Sequence, residues 1–463
     1  MSNHRSKVFR DAIHGLISID DDRELLLELI NTPEFQRLRR IRQLGVSSLT
    51  YPNAEHTRFA HSLGVLHIVS RILNTLRLRY AGTPQIASRL NGNEARKVKV
   101  AALLHDLGHG PFSHVIERAF SSTKAHEDRS KRMIGDPSSS IPGVLHKHGF
   151  TDGEIKETRD LLDYHDHPFL HDMISSSLDA DRMDYLLRDS HFTGVKYGSF
   201  DLEWIVNSFC LGRDPGPESR DRLRLCLDHK RGQYAAEQLI MARTHMTMQV
   251  YGHGITRLWE AQLLMLFHEA ATLAARGELP PETPDHVRRY FCERGEVDHA
   301  TFLLFDEPSL IATLALWSVS GRSSPMLKDF SESFLNRRKI LRLKQIEPPS
   351  RNPDEIVQIK RRLEERLGPE KEQWILDSNP FNPYKAPDEE LQTKDPESYW
   401  EGISRNAILL SDGDIHRDAV PIQTNSLLFK SIGSAKMPLT RVFYRAERDA
   451  EITEILTPAT VSA

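Results

Sequence analysis

The sequence predicts a mostly α protein: a helical core with short β hairpins, followed by a smaller α+β C-terminal region. Three observations predict it. Apolar residues recur at helical spacing over long stretches, as in Arg58–Tyr80, where Phe59, Leu63, Leu66 and Val69 share a face. Strand-like runs are few and short, at 7–20, 204–211, 223–227, 407–410 and 440–444. Proline clusters at 280–284 and 348–353 mark breaks in composition. The 463 residues therefore divide into a core at 1–276, a helical extension at 277–350 and an α+β region at 351–463, whose tail from Thr457 reads as flexible.

Taken in order, residues 7–20 form an extended hairpin turning at His14-Gly15. Leu25–Ile30 is an apolar helical patch. Thr32-Pro33 opens the next helix, Thr as cap and Pro in the first turn. Phe35, Leu38 and Ile41 then repeat at helical spacing between Arg37, Arg39, Arg40 and Arg42. That run reads as a solvated face, a subunit contact or the ring of an anion site. After the Arg58–Tyr80 helix, Ala95–His109 is predicted helical. A helix from about Ser113 carries Glu117, another in Lys124–Met133 carries His126, and Asp136–Pro142 is a loop. In Leu178–Asp189, Asp181, Tyr185 and Asp189 are spaced by four on one helix face. Leucines and a methionine crowd the remaining faces, so these carboxylates are buried and need partners. Gln233–Ala275 is one long helix or two in series, with Arg243 and Tyr251 near one face. Phe302–Leu343 is helical with a break near Ser320–Pro325, and 354–367 is a charged helix.

The chemistry concentrates at residues 101–114. His105 and Asp106 end an apolar helical run, and His109 follows one turn later on the same face before Gly110-Pro111 stops the helix. Taken alone, the pair reads first as a capped helix end with a satisfied core histidine. A divalent metal is the second reading, since it would neutralise the carboxylate and fix the imidazole tautomer. Two further pairs, His165-Asp166 and His171-Asp172, flank Pro168, follow no apolar run and read as surface or connector residues. Elsewhere composition mostly excludes. The 61 basic and 65 acidic residues leave a net charge of −4, so nothing global calls for nucleic acid or a membrane surface. Three scattered cysteines fit a reducing compartment without a disulfide framework. No apolar run is long enough to span a membrane, and the first residues lack a signal-like apolar region. The expected location is cytoplasmic.

Four pieces stand in order: His-Thr-Arg-Phe-Ala-His at 56–61, His-Asp at 105–106, His-Glu at 126–127 and Asp-Ala-Asp-Arg-Met-Asp-Tyr at 179–185. Together they resemble the HD-domain metallophosphohydrolases. More narrowly they are similar to the branch that cuts deoxynucleoside triphosphates (dNTPs), which includes bacterial dGTPases and the vertebrate SAM-and-HD-domain enzyme. The likeness is strong over residues 7–260 and weak in the tail. It implies an HD-domain helical core and a metal site of His61, His105, Asp106 and Asp181. Such a donor set suits Mn, Mg, Fe, Zn or Ni. The likeness also assigns Arg58, Arg182, Arg243 and Tyr185 to the triphosphate, and Gln43, Leu44 and Asp189 to the deoxyribose. Tyr251 would pack where a ribose 2′-OH projects. Arg182 stands where the vertebrate enzyme has Lys, and Gly252 where it has Gln, which unsettles any carry-over of base contacts.

For acid–base work the resemblance points to His126 oriented by Glu117, with His109 and His114 close by; either His126 or His114 would protonate the leaving group. The expected reaction is attack of an activated water on the α-phosphorus, releasing deoxynucleoside and inorganic triphosphate. It would lower or balance a dNTP pool, or serve defence against phage. Lys7, Val8, Asn31, Gln36 and Arg39 match a second nucleotide site that promotes assembly in the vertebrate relative, so a nucleotide activator and a homo-oligomer, dimer or tetramer, are expected partners. Asn31 replaces an Asp that reads guanine there, which weakens guanine preference. The alternatives are an HD phosphodiesterase or alarmone hydrolase, and a nucleotide-sensing subunit with little turnover. The acidic balance disfavours a single-stranded nucleic-acid binder.

Overall fold

The computed structural model describes residues 7–456 except 121–124, 164–167, 217–221, 347–352, 379–380, 385–394 and 434–438. The fold is mostly α, with the HD-type helices at its centre. The Arg58–Arg79 helix runs through the middle and is apolar on both sides. Phe59, Leu63 and Leu66 join one core with the 23–30 and 254–276 helices. Val65, Ile68, Val69 and Ile72 join a second core with the 93–104, 180–193 and 233–246 helices. Each fully buried aliphatic side chain contributes roughly 1.5–3 kcal/mol. A helix enclosed on both faces carries its polar residues inside as well, and so Arg58 and His61 are buried.

Among the described residues the strands form three small sheets. Lys7–Asp11 and Gly15–Ile19 make the expected N-terminal hairpin. Phe209–Arg213 pairs antiparallel with Leu223–Asp228, which pairs in parallel with Leu409–Ser411. Leu341–Gln345 and Trp374–Asp377 both flank Arg441–Arg445. Residues 409–421 therefore complete a sheet begun at 209–228.

Several expectations give way here. The helix that carries the central motif ends at Leu104, not His109, and His105–Gly108 form a turn. The cause is close packing. A Cβ on Gly108 would lie 2.1 Å from the His126 carbonyl oxygen and 2.6 Å from the Ser130 nitrogen. The chain leaves the helix to seat this turn against the 125–135 helix. The run 204–211 is a helix over Leu202–Ser208, capped by Asp201 on the Trp204 N–H, and a strand only from Phe209. The 136–142 loop gives way to helix at Ser140. The helical stretch predicted to 343 ends at Leu335, and Leu341–Gln345 is a strand. His171 and Asp172 are buried rather than on the surface, because Asp172 pairs with Arg224 at 2.8 and 2.9 Å. His165-Asp166 and the Thr457–Ala463 tail lie outside the described residues.

The arginine run is tied inward. Arg37 is buried and donates to the carbonyls of His109 (2.7 Å) and Phe305 (2.5 Å). Arg40 pairs with Asp306, and Arg42 with Glu55 and Glu307. Beside it, Glu34 joins three helices. It accepts from Ser139 and from the Ser140 N–H at the start of the 140–147 helix, and meets His299 at 2.9 Å. Burial raises the Glu34 carboxyl, but His299 and Ser140 outweigh it and hold it at about 2. A carboxyl depressed by folding adds stability above its unfolded pKa and loses it as pH falls through the folded value. Glu34→Gln is therefore expected to cost about 2 kcal/mol at pH 7, with the gap to wild type closing between about pH 4 and about pH 2. Urea melts across that range measure it.

Candidate metal centre and catalytic cavity

Three chain segments bring the candidate ligands together. His61 sits in the first turn of the Arg58–Arg79 helix, and His105 and Asp106 follow the 93–104 helix. Asp181 lies in the first turn of the Ala180–Thr193 helix, which Asp179 caps on the Arg182 N–H. His61 Nε2 is 2.9 Å from Asp181 Oδ1 and 3.8 Å from Asp106 Oδ2. His105 Nε2 is 3.4 Å from Asp106 Oδ1 and 3.8 Å from Asp181 Oδ1.

The donor chemistry fits a cation. Both Nε2 atoms are buried and face carboxylate oxygen without a well-aligned hydrogen bond. The opposite nitrogens are taken: His61 Nδ1 by Asp184 at 2.8 Å, His105 Nδ1 by the Ala102 carbonyl at 2.9 Å. Those acceptors fix the Nδ1–H tautomer and leave each Nε2 lone pair free to ligate. Burial lowers the His61 pKa, but Asp181 and Asp184 outweigh it and push it up to about 10. The cluster thus demands positive charge, and a divalent ion would compete with that proton for the same lone pair.

Behind His61 lies a buried carboxylate that sequence reasoning left without a role. Asp184 takes His61 Nδ1, His14 Nε2 at 2.7 Å, and Arg188 Nε and Nη2 at 2.8 and 2.9 Å. Arg188 continues to Asp11 on the hairpin at 2.8 Å. A Cβ on Gly64 would fall 1.8 Å from Asp184 Oδ1, so glycine there admits the carboxylate. The available signal was Asp184's place three residues after Asp181, on the same side of one helix.

A second histidine group adjoins the first. His126 Nδ1 is 2.9 Å from Glu117 Oε1, and His114 Nδ1 is 3.4 Å from Oε2. His109 does not share a helix face with His105, yet its Nε2 reaches Asp106 Oδ1 at 3.3 Å. The His109 and His126 rings stack at 4.0 Å and 18°. Stacked rings hold their nitrogen lone pairs in parallel planes instead of aiming them at one point. This group therefore suits proton handling better than a second ion. Burial opposes ionisation of Glu117, but His114 and His126 hold it well below the usual carboxylate range. Burial, then the Arg58 charge, keeps the His109 imidazole neutral.

These groups open on a cavity of about 950 Å³. Gln43, Leu44, Asp189 and Tyr251 line it, as do Arg58, Arg182, Tyr185 and Arg243. Tyr251 donates to Asp189 at 2.8 Å, and His56 Nε2 holds the other Asp189 oxygen at 2.7 Å. Gln43 Oε1 has no hydrogen-bond partner. Arg58 donates to Asp106 Oδ2 at 2.6 Å and to Ser113 Oγ at 3.0 Å. Arg182 is engaged by Asp179 and the Ser176 carbonyl. Arg243 donates to the Pro383 carbonyl at 3.3 Å and lies 6.0 Å from the Phe381 ring. His56, Phe381 and Asn406 were not foreseen. His56 had its place in the 56–61 piece as a signal, whereas the two C-terminal residues carry no pattern that points to the cavity. The five residues matched to a second nucleotide site lie apart from its lining. Lys7 and Val8 are on the exposed hairpin. Asn31, Gln36 and Arg39 are at the helix corner 30–39, where Gln36 bonds the Ile30 carbonyl and Arg39 covers the Phe59 ring at 3.5 Å.

Comparison with known proteins agrees with this geometry. The family model described as HD domain matches residues 58–189, the span that holds all four candidate ligands. The chain is 36% identical over 334 residues to the uncharacterized protein YwfO of Bacillus subtilis, covering 72% of this chain and 70% of that one. It is 30% identical over 293 residues to human deoxynucleoside triphosphate triphosphohydrolase SAMHD1, covering 57% of this chain and 44% of the human protein. The crystal structure of a phosphohydrolase from Bacteroides thetaiotaomicron superposes with a TM-score of 0.69 at 26% identity, covering 95% of this chain and all of that one. The chain belongs to the HD-domain phosphohydrolases. It is a hydrolase of a metal-dependent class. No helix among the described residues is long and apolar enough to cross a membrane.

The Glu117–His126 contact makes a direct test. Glu117→Gln is expected to lower kcat by about 10²–10⁴-fold with little change in KM, because it weakens the contact that orients the His126 ring. Steady-state phosphohydrolysis over a pH series checks it.

Proposed function

We propose that this enzyme hydrolyses deoxynucleoside triphosphates to deoxynucleoside and inorganic triphosphate. The observation that carries the reading is one cavity lined by His105, Asp106 and Asp181 of the candidate metal centre, with His61 buried just behind them, by three arginines and by a polar wall of Gln43, Asp189 and Tyr251. Arg58, Arg182 and Arg243 offset the charge of a triphosphate, which a diester or a small monoester would not require. Arg182 exchanges part of its bond to Asp179 for phosphate oxygen.

Gln43 Oε1 accepts from a sugar hydroxyl, and Asp189, fixed between His56 and Tyr251, shapes the same wall. Tyr251 stands edge-on to Tyr185 at 6.2 Å, and the paired rings occupy the room a 2′-OH would need. Divalent ions of the kind His61, His105, Asp106 and Asp181 would hold act, when bound, as Lewis acids that activate water and offset phosphate charge. With Nδ1 committed to Glu117, His126 delivers its proton from Nε2 to the departing O5′.

We further read the corner at Asn31, Gln36 and Arg39, with Lys7 and Val8, as a nucleotide site that governs activity in an oligomer. An amide at Asn31 accepts through its oxygen alone, so activation is expected to show no preference for GTP or dGTP over other nucleotides.

Purified protein incubated with each dNTP and NTP, singly and mixed, with Mn or Mg, tests the reading. Wild type is expected to release inorganic triphosphate from dNTPs, and Asp181→Ala to lose about a hundredfold or more. Equal turnover in Asp181→Ala, or phosphate and pyrophosphate as the only products, would sink it. Tyr251→Ala is expected to cut the kcat/KM preference for deoxyribose over ribose by about tenfold, since packing against a hydroxyl discriminates by about 10² at most.

A further inference from the structure

Phe112 and Ser113 directly precede the His114–Ala119 helix, and both have positive φ, at 55° and 48°. Residues other than glycine resist that region, and a consecutive pair persists only where its surroundings impose it. The contacts that impose it come from both sides. The Phe112 ring is locked in the core against Phe334 and Phe267, at 5.5 and 6.3 Å between centroids. Glu307 Oε1 accepts the Phe112 N–H at 3.2 Å and the Arg42 N–H at 3.0 Å, and Oε2 lies 3.2 Å from Arg42 Nη1. Glu307 is 2% exposed.

The other side of the turn faces the chemistry. Ser113 Oγ accepts from Arg58 Nη2 at 3.0 Å, and Arg58 Nη1 donates to Asp106 at 2.6 Å. His114 is the next residue and lines the cavity. Glu307 itself is absent from that lining and bonds to none of the four candidate ligands.

We propose that Glu307 is a positioning residue of the hydrolytic site, holding the strained Phe112–Ser113 turn so that Arg58 and His114 face the cavity. The inference rests on the reading of that cavity given above. Glu307 opens the 307–319 helix of the extension, so a segment remote in sequence from the HD span becomes part of its working geometry. Burial pushes the Glu307 carboxyl up to about 7, so its role depends on an oxygen placed between two N–H groups more than on full charge. An amide can supply that oxygen.

The test compares wild type, Glu307→Gln, Glu307→Leu and Glu307→Asp on each dNTP and on bis(4-nitrophenyl) phosphate, with Mn. Gln keeps an oxygen that reaches both N–H groups. Leu offers none, and Asp is one methylene short. Glu307→Gln is expected to keep kcat within about threefold, while Leu and Asp lose about tenfold to a hundredfold with KM and bound metal per chain little changed. Ser113→Ala cuts the link to Arg58 one step on, so combined with Glu307→Asp it is expected to fall no further than the worse single variant. Wild-type kcat in both Leu and Asp, a loss in Gln equal to theirs, or losses that multiply with Ser113→Ala would each overturn the proposal. The Asp and Gln variants carry the comparison if Leu does not fold. A wild type inert on dNTPs but active on the diester sinks the dNTP reading alone; a wild type inert on both overturns the positioning role with it.

Discussion

The carboxylate of Asp184 has no contact with solvent, and much of the core is arranged to tolerate it. An ionised group so placed costs several kcal/mol unless neighbours restore what water supplied. Arg188 supplies charge through two bonds, and His14 and His61 supply the rest. Each partner then needs one of its own. Arg188 turns to Asp11, which gives the N-terminal hairpin a reason to lie against the 180–193 helix. His61, with its Nδ1 spent on Asp184, presents Nε2 to Asp181, Asp106 and His105. The orientation of the His61 Nε2 is thus a consequence of how a carboxylate behind the ring was accommodated. Gly64 belongs to the same solution, since any side chain there would occupy the space that Asp184 fills.

The two histidine groups divide the chemistry by geometry. At His61 and His105 the rings meet edge-on at 5.2 Å and 74°, and their free nitrogens converge on carboxylate oxygen. At His109 and His126 the rings stack, and Glu117 holds the His126 Nδ1. Asp106 touches both groups and Arg58 as well, so charge at the candidate metal centre is felt at His109. Burial first, and then the Arg58 charge, hold the His109 imidazole well below its ordinary pKa, with Asp106 opposing them.

What was legible in the sequence was local. Helical periodicity gave the 58–79 and 180–193 helices, and ordered motif pieces gave residues that do meet around one cavity. What was illegible depended on partners far along the chain. Nothing near His171-Asp172 announces that Arg224 will bury it. Nothing in the Arg37–Arg42 run announces partners at 305–307. The early end of the 93–104 helix follows from Gly108 meeting backbone of another helix, and a glycine within an apolar run does not reveal what packs on it. Local signals did override wrong pattern readings in one place: Trp204–Val206 look strand-like, but the Asp201 cap decides for helix.

The arginine run and the 305–307 corner tie a segment far along the chain to a cavity it does not line. Arg37 grips the His109 carbonyl and the Phe305 carbonyl together, Arg40 reaches Asp306, and Glu307 returns to the Phe112 N–H. Three successive residues at one corner therefore bracket the turn from His109 to Ser113 at both ends. A turn that is strained in isolation becomes rigid when bracketed in this way, because relaxing it would leave buried N–H and C=O groups without partners. His61 and Asp181 need little such help, since each sits in the first turn of a helix that fixes its backbone, whereas His105 and Asp106 share a turn with His109. The turn before His114 and the six-residue helix that follows it lack that support and take it from the 305–307 corner.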